Sequence, residues 1–329
     1  MRKVAIVGAG IAGLLAAHGL RRAGCAVTLF SDKSPEDFML RSTPTGTAAR
    51  FPKSLEYDAE LGLNHWDDTC PPVFGVSLAL QLKTGNRLAT LTGKLPAPGR
   101  AIDVRLISSR WMADLEARGG EVVIEPVSLE RLDEIAETHD LTIVAAGRKE
   151  LCQLFPRNAE RSVYDEAQRK LCLVITRGGK MGFDGCPFLP ARFNLHAQAG
   201  EAFWIPFLHK DGEPTWNLLF EAKAGGAMDR FDEAKTGEEA LVIAKRVIAD
   251  LAPWDAEWAA PMTLADERAW LKGGVAPTVR GAVGTLPSGR HVTALGDTIG
   301  FPVAFLVMAA SYLVAIVFVL RIRAGGRPR

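Results

Sequence analysis

The chain has 329 residues, of which 48% are hydrophobic and 23% charged, a composition typical of a globular protein with a sizeable core. Its 39 basic and 38 acidic residues give a net charge of +1, so composition offers no electrostatic basis for binding nucleic acid. The five cysteines are odd in number and include no Cys-x-x-Cys spacing, which favours free thiols over disulfides or a zinc site. We predict no export signal, no metal site and a cytoplasmic location.

The first 22 residues predict a strand, a glycine-rich turn and a helix. The apolar run Val4–Val7 is followed by Gly8, Gly10 and Gly13 in the spacing G-x-G-x-x-G, and Leu14–Arg22 has a helical pattern. In such a turn the first glycine allows the sharp bend, the second lets a pyrophosphate approach the backbone, and the third lets helix and strand pack closely. The phosphates would then lie at the positive end of the helix dipole.

A second predicted strand, Val27–Phe30, leads to Asp32, which follows Gly13 by 19 residues. An acidic residue just past this strand can accept hydrogen bonds from ribose hydroxyls. The complete order of strand, glycine turn, helix, strand and acid predicts a dinucleotide-binding site, although it does not distinguish NAD from FAD.

The stretch KLPAPGRAIDVRLISSRWMADLEARGGEV, residues 94–122, predicts a turn rich in proline and glycine followed by an amphipathic helix. Arg100, Asp103 and Arg105 lie between the turn and the helix. They are candidates for contact with a nucleotide, and the alternative is a salt-bridge cluster at the surface.

Two further stretches predict strands that end in small or acidic residues. HDLTIVAAGRKEL, residues 139–151, is a buried strand that ends near Gly147, as required where a chain closes over a nucleotide. LKGGVAPTVRGAVGTLPSGRHVTALGD, residues 271–297, contains a Gly-Gly crossover and two strand-like runs, and it ends in Gly296 and Asp297.

Short alternating strands fill residues 73–92 and 171–220, and an amphipathic helix is predicted at Gly237–Leu251. The pattern predicts an α/β fold, in which an antiparallel-sheet substrate domain is inserted into a doubly wound, Rossmann-like nucleotide-binding domain. The predicted nucleotide-binding domain is discontinuous and comprises residues 1–70, 96–155 and 272–329, whereas the substrate domain comprises residues 71–95 and 156–271.

Together these stretches resemble the oxygenase component of the styrene and indole monooxygenases, which are two-component, FAD-dependent relatives of the aromatic hydroxylases. The resemblance covers residues 1 to about 312 and is weaker from Cys152 to Ala269. It implies FAD as the cofactor and a small apolar aromatic substrate, such as styrene or indole, that is epoxidised or hydroxylated. It also implies an NADH-dependent flavin reductase as partner, since the single dinucleotide fingerprint leaves no separate NAD(P)H-binding module.

The resemblance assigns roles to individual residues of this chain. The cofactor-binding residues that it implies are Gly8, Gly10, Gly13, Asp32, Arg100, Gly147, Gly296 and Asp297. Arg41 and Pro302 are the residues implied beside the flavin at the reacting site. Two departures stand out: Pro44 occupies the place of a family asparagine, and a Gly-Gln-Gly loop that follows Asp297 in the family is absent.

A flavin enzyme of this kind needs an apolar pocket more than acid–base side chains, because the cofactor carries the reactive chemistry. The stretches CPFLPARFNL and AFWIPFLHK offer Phe188, Phe193, Phe203, Trp204 and Phe207 for such a pocket, and ordinary sheet core is the alternative role for each. The sequence shows no Ser-His-Asp or Cys-His arrangement, and no paired carboxylates near a histidine form an obvious acid–base set.

The run Phe301–Leu320 contains no charged residue and is long enough to span a bilayer. We favour a helix packed on a sheet, because the run begins four residues after Asp297 and is followed by the arginine-rich end RIRAGGRPR. A membrane span is the alternative. An apolar helix must be covered, so we predict that the protein forms homo-oligomers or aggregates through Val314–Leu320.

Two other functions fit the same sequence. An FAD-dependent dehydrogenase or oxidase would use the same nucleotide-binding fold, and a non-catalytic flavin-binding protein would keep the fingerprint without the reaction. Phe305, Leu306 and Val307 stand where glycines would let a flavin ring approach the backbone, so the sequence supports FAD binding more strongly than oxygenation.

Overall fold

The computed structural model describes residues 1–83, 86–147, 149–274 and 276–300. The strands are β1 Lys3–Val7, β2 Ala26–Ser31, β3 Ala49–Arg50, β4 Val73–Lys83, β5 Asn86–Ala101, β6 Glu121–Ile124, β7 Leu141–Val144, β8 Lys170–Arg177, β9 Pro190–His196, β10 Gly200–Leu208, β11 Pro214–Ala222, β12 Thr263–Leu264, β13 Trp270–Gly273, β14 Val283–Thr285 and β15 His291–Ala294. The helices are α1 Ile11–Arg22, α2 Pro35–Arg41, α3 Pro52–Glu60, α4 Val104–Ala117, α5 Leu129–Thr138, α6 Lys149–Cys152, α7 Gly237–Leu251 and α8 Ala256–Ala259.

Six strands form a sheet in the order β14-β15-β7-β1-β2-β6, in which every pair is parallel except β14 with β15. The two faces of β1 are buried by different helices. Val4 and Ile6 pack in a core with α1 and α4, whereas Ala5 and Val7 pack in a core with α5. A parallel sheet with helices on both faces is the doubly wound fold that the sequence predicts.

The second sheet has nine strands, with the path β12-β8-β11-β10-β9-β4-β5-β3 and β13 beside β8. Its pairs are antiparallel except β4 with β9. Helix α7 covers one face, where Trp204, Trp216 and Phe220 meet the apolar side of the helix. The helix begins at a capping box formed by Thr236 and Glu239, which explains why the predicted start at Gly237 is correct.

The opposite face of this sheet has a separate core, which we call the inner face. It is formed by alternate residues of β8, β9 and β10, together with residues of β4, β5 and neighbouring loops. The members of this core are Val73, Ala101, Leu173, Ile175, Ala191, Phe203, Ile205, Phe207, Ala265 and Ala269.

The predicted proline- and glycine-rich turn near residue 96 is wrong, because β5 continues through it from Asn86 to Ala101. Pairing with β4 shifts between Lys94, which lies opposite Gly75, and Gly99, which lies opposite Val73. Pro96 and Pro98 fall within this irregularity, where the strand has more residues than its partner. Proline lacks a backbone N–H, so a bulge tolerates it where a regular ladder would not.

The two sheets meet where α4 begins. Ile102 pairs with Leu208 at the end of β10, and the backbone N–H of Asp103 donates to the Leu208 oxygen at 2.9 Å. One and a half turns along α4, the Ser108 hydroxyl donates to the Ala9 oxygen in the glycine turn at 2.7 Å. Helix α4 therefore fixes the end of the nine-stranded sheet against the glycine turn of the other sheet.

Among the helices of the described residues, none has both the length and the hydropathy needed to cross a bilayer. The run Phe301–Leu320 and its segment Val314–Leu320, on which the packed-helix, membrane and oligomer predictions rest, lie outside the described residues.

Candidate functional site

The turn between β1 and α1 has the geometry of a phosphate cradle. Gly8 has φ of +119°, and a Cβ there would lie 2.6 Å from the Ala145 oxygen. A Cβ at Gly13 would lie only 2.0 Å from the Gly8 oxygen, whereas one at Gly10 would meet no atom within 4 Å. The first and third glycines are thus required by close packing, and the second faces open space at the start of α1.

The start of α1 also offers backbone donors. Gly10 is the N-cap residue and has no side chain to cap the first turn. The first N–H groups of a helix lack partners within the helix and lie at the positive end of its dipole, so they suit an anion. These features fit the pyrophosphate of a dinucleotide.

Two other loops reach the same edge of the six-stranded sheet. Ala145 and Ala146 follow β7 directly beside Gly8, and Gly147 comes next in the chain. After β15, a Cβ at Gly296 would lie 2.9 Å from the Cβ of Ala12 in α1. The Thr298 hydroxyl donates to the Ala146 oxygen at 3.2 Å, which ties the two loops together.

The predicted acids lie at this edge as well. Asp32 is exposed immediately after β2, and Asp297 is exposed immediately after Gly296. Because the carboxyl ends of parallel strands lie on one side of the sheet, β1, β2, β7 and β15 bring their following loops to one edge. The structure therefore brings together seven predicted residues, namely Gly8, Gly10, Gly13, Asp32, Gly147, Gly296 and Asp297.

The remaining predicted residues are Arg41, Arg100 and Pro302. The Arg41 side chain is 73% exposed and pairs with Asp37, at 2.7 Å, one helical turn away. Arg100 is near the end of β5, where its Nη2 donates to the Asp67 backbone oxygen at 2.8 Å and its buried Nε has no hydrogen-bond partner. Pro302 lies outside the described residues.

A buried polar network joins the two sheets, and the sequence did not reveal it. Arg105 is 1% exposed and donates through Nε and Nη2 to the carboxylate of Asp103, at 3.0 and 2.7 Å. Its Nη1 lies 3.2 Å from Asp266 Oδ2, and that carboxylate is 2.7 Å from His209 Nε2. On the other side of the ring, His209 Nδ1 lies 2.8 Å from Asp211 Oδ1.

The network places two carboxylates beside a histidine, a neighbourhood that the sequence motifs did not indicate. Asp211 follows His209 by two residues, so the sequence contains a signal for this contact. Asp266 is distant in the chain, and only the fold brings its carboxylate beside His209. Burial opposes ionisation of Asp266, yet the hydrogen bond to His209 and the charge of Arg105 hold the pKa of its carboxyl below the usual range. His209 is only 1% exposed, which keeps a substrate from reaching its ring. The arrangement is therefore better suited to holding α4 against the nine-stranded sheet than to exchanging a proton with a substrate.

The aromatic residues predicted for a pocket do not share one surface. Phe203 and Phe207 belong to the inner face, and the Phe193 ring stacks on Phe203 with centroids 5.0 Å apart. Trp204 points to the opposite face, where it packs edge-on against Trp216 in the core beneath α7. Side chains alternate between the two faces along β10, so Trp204 cannot line one pocket together with Phe203 and Phe207.

Comparison with known proteins identifies the family. A family model described as "Styrene monooxygenase A putative substrate binding domain" matches residues 147–258, and an NAD(P)-binding Rossmann-like model matches residues 6–34. The chain is 30% identical over 303 residues to the styrene monooxygenase StyA of Pseudomonas fluorescens, a match that covers 90% of this chain and 71% of that protein. A styrene monooxygenase StyA of a Pseudomonas species matches to the same extent. The chain belongs to the styrene monooxygenase family.

Solved structures support the same fold at lower identity. The flavin-dependent brominase Bmp2 superposes with a TM-score of 0.62 at 14% identity, covering 91% of this chain and 72% of the brominase. A variant of the halogenase PltM in complex with FAD superposes with a TM-score of 0.67 at 16% identity, covering 91% of this chain and 64% of the halogenase. At these identities the likeness concerns the fold alone.

Membership of the styrene monooxygenase family confirms the resemblance inferred from the sequence. It confirms FAD as the cofactor and the enzyme class, an FAD-dependent oxidoreductase that acts as a monooxygenase. The fingerprint alone could not distinguish NAD from FAD, and family membership makes FAD the dinucleotide of this chain.

Proposed function

We propose that this monooxygenase uses reduced FAD, delivered by a partner flavin reductase, to oxygenate a small aromatic compound such as styrene or indole. The single observation that carries the proposal is the convergence of three loops around the start of α1 in a chain of the styrene monooxygenase family. The described residues contain one such glycine turn, which accounts for one bound dinucleotide and leaves the source of electrons to another protein.

We assign the pyrophosphate of FAD to the turn of Gly8, Gly10 and Gly13, where the open side at Gly10 admits it and the start of α1 donates hydrogen bonds. Asp32, at the end of β2, is proposed to hold the adenosine ribose. Gly147, Gly296 and Asp297 follow β7 and β15 and are proposed to line the other side of the cofactor.

The roles proposed for Arg100, Arg41 and Pro302 rest on different observations. The buried Nε of Arg100 lacks a hydrogen-bond partner, so an acceptor from a bound ligand would satisfy it. Arg41 is exposed and held by Asp37, which leaves its guanidinium accessible to a ligand. Pro302 rests on the resemblance alone.

The substrate is proposed to lie against the inner face of the nine-stranded sheet. Phe193 and Phe203 offer stacked aromatic surface there, and apolar side chains exclude water. When bound, reduced FAD supplies the two electrons that divide O₂, so that one oxygen atom reaches the substrate and the other leaves as water. The protein's own part is to hold the aromatic ring and keep water away.

We keep the domain division proposed from the sequence, with residues 1–70, 96–155 and 272–329 binding FAD and residues 71–95 and 156–271 binding the substrate. The six-stranded sheet draws its strands from the first set, and β8 to β11 belong to the second. The cytoplasmic location and the homo-oligomer stay predictions.

The proposal is tested by supplying the purified protein with FAD, NADH and a flavin reductase and measuring products from styrene and indole. We expect epoxide or hydroxylated product only when the reductase is present. Reduction of bound FAD by the substrate without any reductase would favour the dehydrogenase alternative. Binding of FAD with no product from either compound would favour the non-catalytic alternative.

A further inference from the structure

The inner face of the nine-stranded sheet contains a buried amide, Asn217, both of whose hydrogen-bonding groups are unused. Asn217 lies in the middle of β11 and is 0% exposed. Neither its Oδ1 nor its Nδ2 has a hydrogen-bond partner. Buried amides are nearly always paired, so an orphaned one calls for an explanation.

The register of the sheet shows what surrounds this amide. Trp216 and Leu218, the residues on either side of Asn217, point into the core beneath α7. Asn217 therefore points to the inner face, where its direct cross-strand neighbours are Ile205 on β10 and Ile175 on β8. Both isoleucines are buried members of the inner-face core.

The aromatic pair proposed for substrate binding lies in the next row of the same face. Phe203 is two residues from Ile205 along β10, and it stacks on Phe193. The inner face also includes Ala101, which leads through Asp103 into α4 and so to the glycine turn. The unpaired amide thus lies next to the row of stacked aromatic rings. From the same face, the chain continues through Ala101 into α4 and toward the nucleotide-binding sheet.

A neighbouring polar residue on the same strand and face is paired. The Thr215 hydroxyl, two residues before Asn217 and on the same face, donates to the Phe207 backbone oxygen at 3.1 Å. If Asn217 served only to fill space, leucine would make the fold more stable, because it has a similar shape and no polar groups to leave unpaired.

We propose that Asn217 is a specificity-determining residue that hydrogen-bonds one N–H or O–H group on the aromatic substrate. The carboxamide can accept through Oδ1 and donate through Nδ2, so it suits a ring nitrogen carrying hydrogen or a phenolic hydroxyl. A purely hydrocarbon substrate would leave the amide unpaired. The inference rests on the proposed aromatic substrate and narrows it to aromatic compounds with one polar hydrogen.

The test compares indole with indene, which has nearly the same shape but carries CH₂ in place of N–H. Dissociation constants for both are measured by calorimetry on the FAD-loaded protein. We expect the parent to bind indole roughly five- to tenfold more tightly, as one net hydrogen bond implies. Asn217→Leu is expected to bind the two compounds equally and to have a higher Tm, because it removes the unpaired amide.

Thr215→Val is the matched control, since it removes a paired polar group from the same strand and face. It is expected to keep the preference for indole. Equal binding of both compounds by the parent, binding of neither, or an unchanged preference in Asn217→Leu would overturn the inference.

The result is distinguishable from that of the proposed function. A parent protein that prefers indole through Asn217 but forms no oxygenated product would uphold the inference and contradict the proposed reaction. If the parent oxygenates styrene and indole, and Asn217→Leu keeps the same ratio of products and of dissociation constants, the proposed reaction is upheld and the inference is contradicted.

Discussion

The three glycines of the turn after β1 share a motif but have different surroundings. Gly8 and Gly13 are enclosed by backbone atoms, since an added Cβ would approach Ala145 or Gly8 itself to 2.6 Å or less. Gly10 has open space around it. The spacing in the sequence predicts all three, but only the structure shows which of them can be changed without disturbing the fold.

Gly10→Val should therefore lose FAD binding while keeping the fold. The new side chain would occupy the space that the pyrophosphate needs, and it would meet no protein atom within 4 Å of its Cβ. FAD retention after gel filtration and the near-UV circular dichroism of the apoprotein measure the two effects. Gly19→Val on the same helix, which also has open space, is the control and should retain FAD. Normal FAD retention by Gly10→Val would contradict the assignment.

Glu221 gives a prediction about pH. It is 6% exposed and lies directly opposite Glu201 on the neighbouring strand. Burial, with the charge of Glu201, raises the pKa of Glu221 from 4.5 to about 7. Between those two values the folded protein keeps a proton that the unfolded chain releases, so this residue makes the folded state less stable as pH rises through the interval.

Glu221→Gln should remove this loss, because an amide needs no proton to stay neutral. Its free energy of unfolding relative to the parent should increase between pH 5 and pH 8, by at most about 3 kcal/mol at about 1.4 kcal/mol per pKa unit. Urea unfolding at several pH values measures it. Glu60→Gln, an exposed carboxyl on α3, should change little with pH relative to the parent. A parallel pH profile for parent and Glu221→Gln would refute the explanation.

Helix α4 connects several distant parts of the molecule. Its N-cap residue Asp103 is fully buried and accepts a hydrogen bond from the backbone N–H of Arg105 at 3.0 Å. The Arg105 guanidinium in turn contacts Asp266 and His209. The sequence predicts the helix from its apolar period and marks Arg105 and Asp103 as a charged pair. It cannot show that the pair is buried, because Asp266 and His209 come from distant parts of the chain.

Asp103→Asn should destabilise the protein by about 3 kcal/mol, since it leaves a buried guanidinium with less compensating charge. Denaturant unfolding measures the loss. The control is Glu56→Gln, which breaks the Lys53–Glu56 pair on α3, where both side chains are more than half exposed. That change should cost no more than about 0.5 kcal/mol. A similar small effect at Asp103 would show that the network does not hold α4 in place.

Strand β5 shows where prediction of an element fails. Prolines and glycines in residues 93–99 indicate a turn, and local sequence gives no reason to prefer a strand. The long partner β4 carries the pairing across the irregular segment, so tertiary context decides. In contrast, α7 and β1 are predicted correctly because periodicity and capping agree with the fold.

At the scale of the whole molecule, the described residues form one mainly parallel sheet and one mainly antiparallel sheet. The order of strands and helices predicts the doubly wound fold, and the glycine fingerprint predicts the edge at which a dinucleotide lies. The inner face of the second sheet could not be predicted, because the two faces of a strand buried on both sides have similar composition. For that reason the sequence does not separate Trp204 from Phe203 and does not mark Asn217 as an inner-face residue.

We propose that this chain transfers oxygen from O₂ to an aromatic compound with the help of FAD. The proposal can be tested by running the reaction with indole, FAD, NADH, a flavin reductase and heavy-isotope O₂ and analysing the product by mass spectrometry. We expect a product that carries one labelled oxygen atom and that is absent with Gly10→Val. Product labelled from water instead of O₂, or equal product from Gly10→Val, would contradict it.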